Sequence, residues 1–547
     1  MKQYKFVPSK TRNLIFLATL CSLLPVLLYS QVDTAWIRIY NGPGNGADEA
    51  RSLAVDEQGN VYVTGYSRSS GTDDDYATIK YNANGVEQWV RKYNGPGNDD
   101  DGAYSIAVDA QGNVYVSGES YDSTTGFDCT TIKYNSNGDT VWVRRYTGLG
   151  NYSDAARSIA VDGQGNVYVT GFSYSSSTAY DCATIKYNSA GDTVWVRRYN
   201  GPGNYYDFAY SLAIDVQGNV YVTGLSAGIS SSFDYATIKY NSMGVQEWVA
   251  RYNGPENDDD WAHSLAVDAQ GNVYVTGESR GSGTYEDYAT IKYNASGDTL
   301  WLRRYNGPGN GADIARSLAV DGQGNVYVTG ESPVSGTNYD YATIKYNTAG
   351  VQEWAQRYNG PGNSLDKAYA LAVDGQCNVY VTGGSRGSTY IEDYATIKYN
   401  SAGDTVWVRR YNGPGNSTDN ASAIAVDNAG NVYVTGSSFT SGVYSDYATI
   451  KYVQTIPGVE ETSKPLSADH TLLEVYPNPV KAFFTLCLPH PADRSQIKIY
   501  DVTGKVIKEL ESSGNRELRI SLDGIKNGVY FVRVGNEMAT KKLVITK

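Results

Sequence analysis

The sequence predicts an all-β chain of eight four-stranded sheets followed by a smaller β-unit, and three observations predict it. A 53-residue pattern recurs eight times, each copy holds four short runs rich in Val, Ile, Thr, Tyr and Trp, and the runs are separated by turn residues. Four-stranded units repeated at about this length are the signature of an eight-bladed β-propeller.

The first element is an export signal. Lys2, Lys5, Lys10 and Arg12 precede an apolar run from Leu14 to Leu28, and Tyr29-Ser30-Gln31 supplies a small residue for cleavage near Ser30. The 15-residue run falls short of the roughly 20 residues that span a bilayer. Cys21 lies inside this run, with Leu20 before it and apolar residues after it, which argues against lipid attachment. Residues 1–30 are therefore read as a signal peptide, and no transmembrane segment is expected in the mature protein.

The repeat occupies residues 31–453. Its tryptophan recurs at Trp36, Trp89, Trp142, Trp195, Trp248, Trp301, Trp354 and Trp407, with every step equal to 53. The Asp that opens D-x-x-G-N-V-Y-V recurs in the same phase from Asp56 to Asp427. Runs such as SLAVD, NVYVTG, YATIKY and EQWVRKY read as strands, joined by D-x-x-G-N and N-x-x-G turns with Gly where positive φ is wanted. The first copy begins with its Trp run and the last stops after its third run, so the Trp36 strand is expected to complete the last blade and close the ring. Cys129 and Cys182 share one repeat position on blades that diverge outward. They are expected to be free thiols rather than a disulfide.

These motifs resemble the secreted bacterial β-propeller repeat family (SBBP), whose name refers to seven blades where this chain has eight copies. The resemblance implies a secreted propeller and no common activity. A polar, Pro-containing linker spans 454–472, and 473–547 has its own short alternating runs, expected to form a small immunoglobulin-like β-sandwich. Tyr476-Pro477-Asn478-Pro479, YDVTGKVIKEL with Gly504, GIKNGVYFVRV with Gly528, and KKLVITK with Lys541 and Lys542 resemble the C-terminal sorting domain of type IX secretion substrates. That resemblance implies the type IX machinery as a partner. It also implies release from, or display on, the outer surface of a Gram-negative bacterium.

Charge and histidine content narrow the function. The chain carries a net charge of −13, and residues 31–452 hold 28 Lys and Arg against 47 Asp and Glu. Such a surface repels phosphate backbones, so nucleic acid is not an expected partner. Only His263, His470 and His490 exist, which leaves little imidazole for serine or cysteine hydrolase chemistry or a His-rich zinc site.

In a four-stranded blade the two tight hairpin turns share one face. The variable loops share the other, where binding is expected. The position three after the Asp that precedes each first strand reads Arg51, Tyr104, Arg157, Tyr210, His263, Arg316, Tyr369 and Ser422, with Trp261 nearby. Planar cations and aromatics at a channel mouth suit sugars or carboxylates. Acidic loops with Asp99, Asp100 and Asp101, and with Asp258, Asp259 and Asp260, are candidates for weak calcium binding, although no EF-hand spacing is present. No catalytic residue is assigned. The leading expectation is a secreted or surface-displayed, non-catalytic propeller that binds an extracellular glycan or protein through the variable face. The alternatives are a glycan hydrolase or lyase on that face, using Asp with Arg or Tyr, and a spacer with no soluble ligand.

Overall fold

The computed structural model describes residues 31–455, apart from 70, 72, 151, 335–337, 389 and 441–443. In the C-terminal segment it describes 474–476, 483–487, 493–501, 505–513, 517–522, 525–534 and 540–545. The signal segment 1–30, residues 456–473, Pro477, Asn478, Pro479, Gly504, His470 and His490 lie outside the described residues. The chain divides into a compact repeat unit, Val32–Gln454, and a separate C-terminal unit.

The repeat unit opens with β1 (Gln31–Tyr40), followed by β2 (Asp48–Val55), β3 (Val61–Arg68), β4 (Asp74–Tyr81) and β5 (Glu87–Tyr93). β2 to β5 form one sheet in sequence order, and six further sheets repeat that order. The last three repeat strands, Asp419–Val426, Val432–Phe439 and Ser445–Thr455, take β1 as their fourth member. The repeat unit is therefore eight four-stranded sheets, and no helix occurs among its described residues.

Alternation makes both faces of each sheet apolar, and each sheet is covered by the next. Tyr62, Tyr76 and Trp89 of the first sheet pack on Ala103, Ile106, Val114, Val116, Ile132 and Tyr134 of the second. Equivalent clusters join every later pair, and Trp36, Tyr433 and Tyr447 of the last sheet pack in the same way on Ala50, Val61, Val63 and Ile79 of the first. Buried aromatic polar atoms find partners in their own sheet's turn or across these seams. Tyr62 Oη donates to Asp56 (2.9 Å), Trp89 Nε1 to the Ser136 carbonyl (3.2 Å) and Tyr447 Oη to the Ala77 carbonyl (3.2 Å). Cys129 and Cys182 are buried, unpaired thiols inside these cores.

The β2-type strands are innermost. The Ile159 N–H donates to Ser105 Oγ and the Leu212 N–H to Ser158 Oγ (3.3 Å each), linking first strands of neighbouring sheets. The two hairpin turns of a sheet lie side by side at one end, where a Cβ on Gly59 would meet Ala83 at 3.4 Å. The chain leaves the unit at this same end: Gln454 Nε2 donates to the Gly430 carbonyl of a hairpin turn (2.5 Å). The variable loops occupy the opposite end.

Outer strands carry a cation that pins a buried carboxylate. Arg145 reaches Asp128 (2.7 Å), Ser120 Oγ (2.6 Å) and the hydroxyl of Tyr93 in the preceding sheet (3.4 Å), and Arg198, Arg251, Arg304, Arg357 and Arg410 repeat the pairing with Asp181, Asp234, Asp287, Asp340 and Asp393. β1 places Ile39 at this position, so Asp446 of the last sheet leans on the Thr440 hydroxyl, and burial raises its pKa.

In the C-terminal unit, Glu474–Tyr476, Phe483–Cys487 and Glu517–Ser521 form a three-stranded sheet. Val506–Ser513, Asp493–Asp501, Gly528–Val534 and Thr540–Ile545 form a four-stranded one. Leu486, Ile497, Ile499, Ile520, Val532 and Leu543 build its core.

The missing cation yields a prediction. Ile39→Arg should stabilise the repeat unit by about 1 kcal/mol, whereas Arg251→Met, which strands Asp234, should cost about 3 kcal/mol. Denaturant unfolding of the two variants checks both signs.

Candidate ligand-binding face

Each β2-type strand slips by one residue against its β3-type neighbour, between Ala50 and Ser52 in the first sheet and between Ala156 and Ser158 in the third. The extra residue of this bulge is Arg51, Tyr104, Arg157, Tyr210, His263, Arg316, Tyr369 or Ser422 in turn. A bulge re-aims a side chain out of the ladder, and here it does so on the innermost strand. The eight variable positions thus stand together around the inner rim. Arg157 lies over the Tyr104 ring at 4.3 Å, and the Tyr210 and His263 rings are 6.0 Å apart.

Sequence reasoning missed the residues on the β3-type strands that partner this ring: Tyr66, Glu119, Phe172, Leu225, Glu278, Glu331, Gly384 and Ser437. They lie fifteen positions after each bulge residue, directly after the repeated glycine of VYVTG, and vary from copy to copy. That co-variation is the signal that could have found them. Arg51 donates to Tyr66 Oη (3.3 Å), Tyr104 Oη to Glu119 (2.5 Å) and Arg316 to Glu331 (2.8 Å). Lys367 approaches the other oxygen of Glu331 at 3.5 Å, and His263 Nε2 sits 3.7 Å from Glu278.

Arg51 pairs with Glu49, Arg157 with Glu119, and Arg316 and Lys367 share Glu331, while Glu278 faces His263, leaving a rim that is polar, aromatic and nearly neutral. Burial pushes Tyr104, Tyr210 and Tyr369 up to about 12, so each remains a hydroxyl donor at neutral pH. Trp261 is cross-strand neighbour to Glu278. Trp261 Nε1, His263 Nε2 and Glu278 Oε2 are buried and make no hydrogen bond.

The acidic positions separate into two kinds. Asp101 and Asp260 turn inward, accepting the Gly95 and Gly254 N–H groups (2.5 Å each), so they close their own loops rather than join a surface cation site. Asp99 and Asp100 gather with Asp73, with carboxylate oxygens within 4.8 Å of one another, while Arg68 neutralises Asp73 at 2.6 Å. This is the one such set among the described residues and the place where calcium could be held. Asp258 faces Arg280 at 3.6 Å, and Asp259 accepts from Ser232.

On the opposite face a cavity of about 400 Å³ lies between the last and first sheets, lined by Asp56, Glu57, Gln58, Asp427, Ala429 and Lys451 among others. Ala429 stands where the other seven turns carry Gln, which leaves this space.

Comparison with known proteins identifies the repeats and the C-terminal segment. A beta-propeller repeat model matches residues 35–71, 88–123, 141–176, 194–229, 247–283, 300–335 and 406–438, and a secretion system C-terminal sorting domain matches 474–546. The chain is built of SBBP β-propeller repeats and ends in a type IX sorting domain. The copy beginning at Trp354 is unmatched; it carries Cys377, at φ 61°, where the other turns have Gly. The sorting domain indicates export by type IX secretion to the cell surface or extracellular space, consistent with a Gram-negative bacterium, and implies interaction with that machinery. Tyr476 falls on the strand Glu474–Tyr476, Gly528 opens Gly528–Val534, and Lys541 and Lys542 lie on Thr540–Ile545.

The chain is 23% identical over 499 residues to an uncharacterized WD repeat-containing protein of Acanthamoeba polyphaga mimivirus, covering 71% of this chain and 35% of the relative, about a third of its length. Among solved structures it is similar to a protein of unknown function from Dyadobacter fermentans (9% identity, TM-score 0.36, 77% of this chain and 99% of that one). It is also similar to the beta-propeller domain of the Trilobed protease from Pyrococcus furiosus (10%, TM-score 0.32, 69% and 97%). No helix among the described residues is long and apolar enough to cross a membrane.

The inward carboxylates give a pH signature. Burial raises Asp101, Asp207, Asp260 and Asp313 to about 6, so the folded state binds protons that the unfolded chain releases near 3.8. Their contribution to stability is complete below that lower value and is lost as pH rises through 6. The unfolding temperature is expected to climb as pH falls from 7 toward 4.5, and Asp207→Asn with Asp313→Asn should flatten the climb. Calorimetry across that range checks it.

Proposed function

We propose that residues 31–453 form an eight-bladed ring closed by β1, joined through a linker at 454–472 to the sorting domain at 473–547, and that the exported protein binds an extracellular glycan or protein on its variable face without catalysing a reaction. One observation carries this reading. Side-chain variation is concentrated on the variable face and its inner rim, and the charged groups at the rim are matched to one another rather than left poised for proton transfer. A repeated frame with one varied rim is the layout of a binding surface.

One observation favours the second reading, a glycan-cleaving enzyme. His263 and Glu278, 3.7 Å apart, are the one His–carboxylate pair among the described rim residues and offer an acid–base couple. Asp260, the carboxylate nearest His263 in sequence, is occupied in its own loop.

Electrophoresis of the full chain through native gels cast with extracellular polysaccharides, followed by staining for polymer, separates the two. Retardation without clearing is expected for the wild type, and no clearing for H263A/E278Q. A cleared track that disappears in H263A/E278Q would overturn the non-catalytic reading.

A further inference from the structure

The variable face carries one extended run of aromatic rings, of which the Tyr174–Tyr180 contact has a counterpart in Tyr121–Phe127 of the second sheet. At the two loop positions before the β2-type Asp, the second copy carries Asp99-Asp100 and the fifth Asp258-Asp259, but the third carries Tyr152-Ser153 and the fourth Tyr205-Tyr206. From Tyr152 a run of rings follows: Tyr174 at 4.5 Å, Tyr180 at 5.3 Å from Tyr174, Tyr206 at 5.6 Å from Tyr180, and Phe208 stacked 5.7 Å from Tyr206. Tyr205 stacks on Tyr206 at 3.9 Å, and Phe208 leads through Tyr210, at 6.5 Å, to His263, at 6.0 Å from Tyr210. The run starts at the rim, where Tyr152 and Tyr205 are 60% and 50% exposed, and ends beside Trp261, His263 and Glu278.

We propose that this tyrosine wall on the third and fourth sheets stacks a neutral glycan strand, with the Trp261–His263–Glu278 group at its inner end receiving sugar hydroxyls. The assignment rests on the binding reading above and names its ligand. Three features select a neutral carbohydrate. Tyrosine rings present an apolar face beside a polar edge, matching a sugar ring with its apolar C–H face and hydroxyl rim. The cation at the wall, Arg157, is committed to the Tyr104 ring and to Glu119 (3.9 Å), and acidic loops flank the wall on both sides, so an anionic polymer is repelled. A hydroxyl both donates and accepts, which suits one unbonded donor, Trp261 Nε1, beside one unbonded carboxylate oxygen, Glu278 Oε2.

The test is affinity electrophoresis of the full chain in gels containing β-glucan, mannan or xylan as neutral probes and alginate as the anionic one. Retardation by at least one neutral polymer and none by alginate is expected. Y152A/Y205A should weaken that binding about tenfold. Y152W/Y205W should keep it, and Y285A/Y390A, which removes exposed tyrosines away from the wall, should leave it within about twofold. Binding unchanged in Y152A/Y205A, or lost equally in Y285A/Y390A, overturns the wall while a variable-face binder still stands. Retardation by alginate alone, or by none of the four polymers, overturns the neutral-glycan assignment, and the variable face is then left to a ligand of another class.

Discussion

Each sheet in this protein has two apolar faces, and neither can be left to water. Tyr62, Tyr76 and Trp89 need the aliphatic face of the next sheet, and that sheet offers its own Tyr115 and Trp142 to the one after. Trp36, Tyr433 and Tyr447 of the last sheet pack in the same way on Ala50, Val61 and Ile79. β1 is part of that packing, because without it the final sheet lacks its fourth strand and the Trp36 side chain that joins this cluster. Burial on this scale makes the repeat invariant wherever a side chain sits between sheets, and that invariance leaves the rim as the place free to vary.

The acidity of the chain follows the same division. Many recurrent carboxylates are structural: the Asp56 type holds a turn through Gln58 N–H, Asn60 and Tyr62, the Asp101 type holds a loop, and the Asp128 type holds the outer cation. An acidic sequence therefore does not translate into an equally acidic functional surface. At the rim, glutamates face arginines and the balance is near neutral, so shape and hydrogen bonding select the ligand there, while the acidic loops beside the tyrosine wall exclude anions.

Much of the fold was legible because the sequence states it eight times over. The Trp spacing gave the period, the D-x-x-G-N and N-x-x-G turns gave the hairpins, and the phase of the ends placed β1 beside the last three strands. The rim was half legible. The ring from Arg51 to Ser422 stands out as variation against a constant frame, but the bulge that aims it and the Glu119, Glu278 and Glu331 partners depend on register between strands. Asp101 and Asp260 sit where every copy carries Asp, which marks them as loop-closing, whereas Asp99, Asp100, Asp258 and Asp259 belong to single copies. The tyrosine wall draws on separate loops and strands of two copies, and nothing short of the fold brings Tyr152 and Tyr206 to the same surface.

The most direct test of the account is hydrogen exchange read by mass spectrometry, on the full chain with and without a neutral polysaccharide that retards it. Added protection is expected in 148–157, 201–210 and 256–263 and none in the hairpin turns at 109–113, 162–166 and 215–219. Protection confined to the hairpin turns, or spread evenly over both ends, would contradict it.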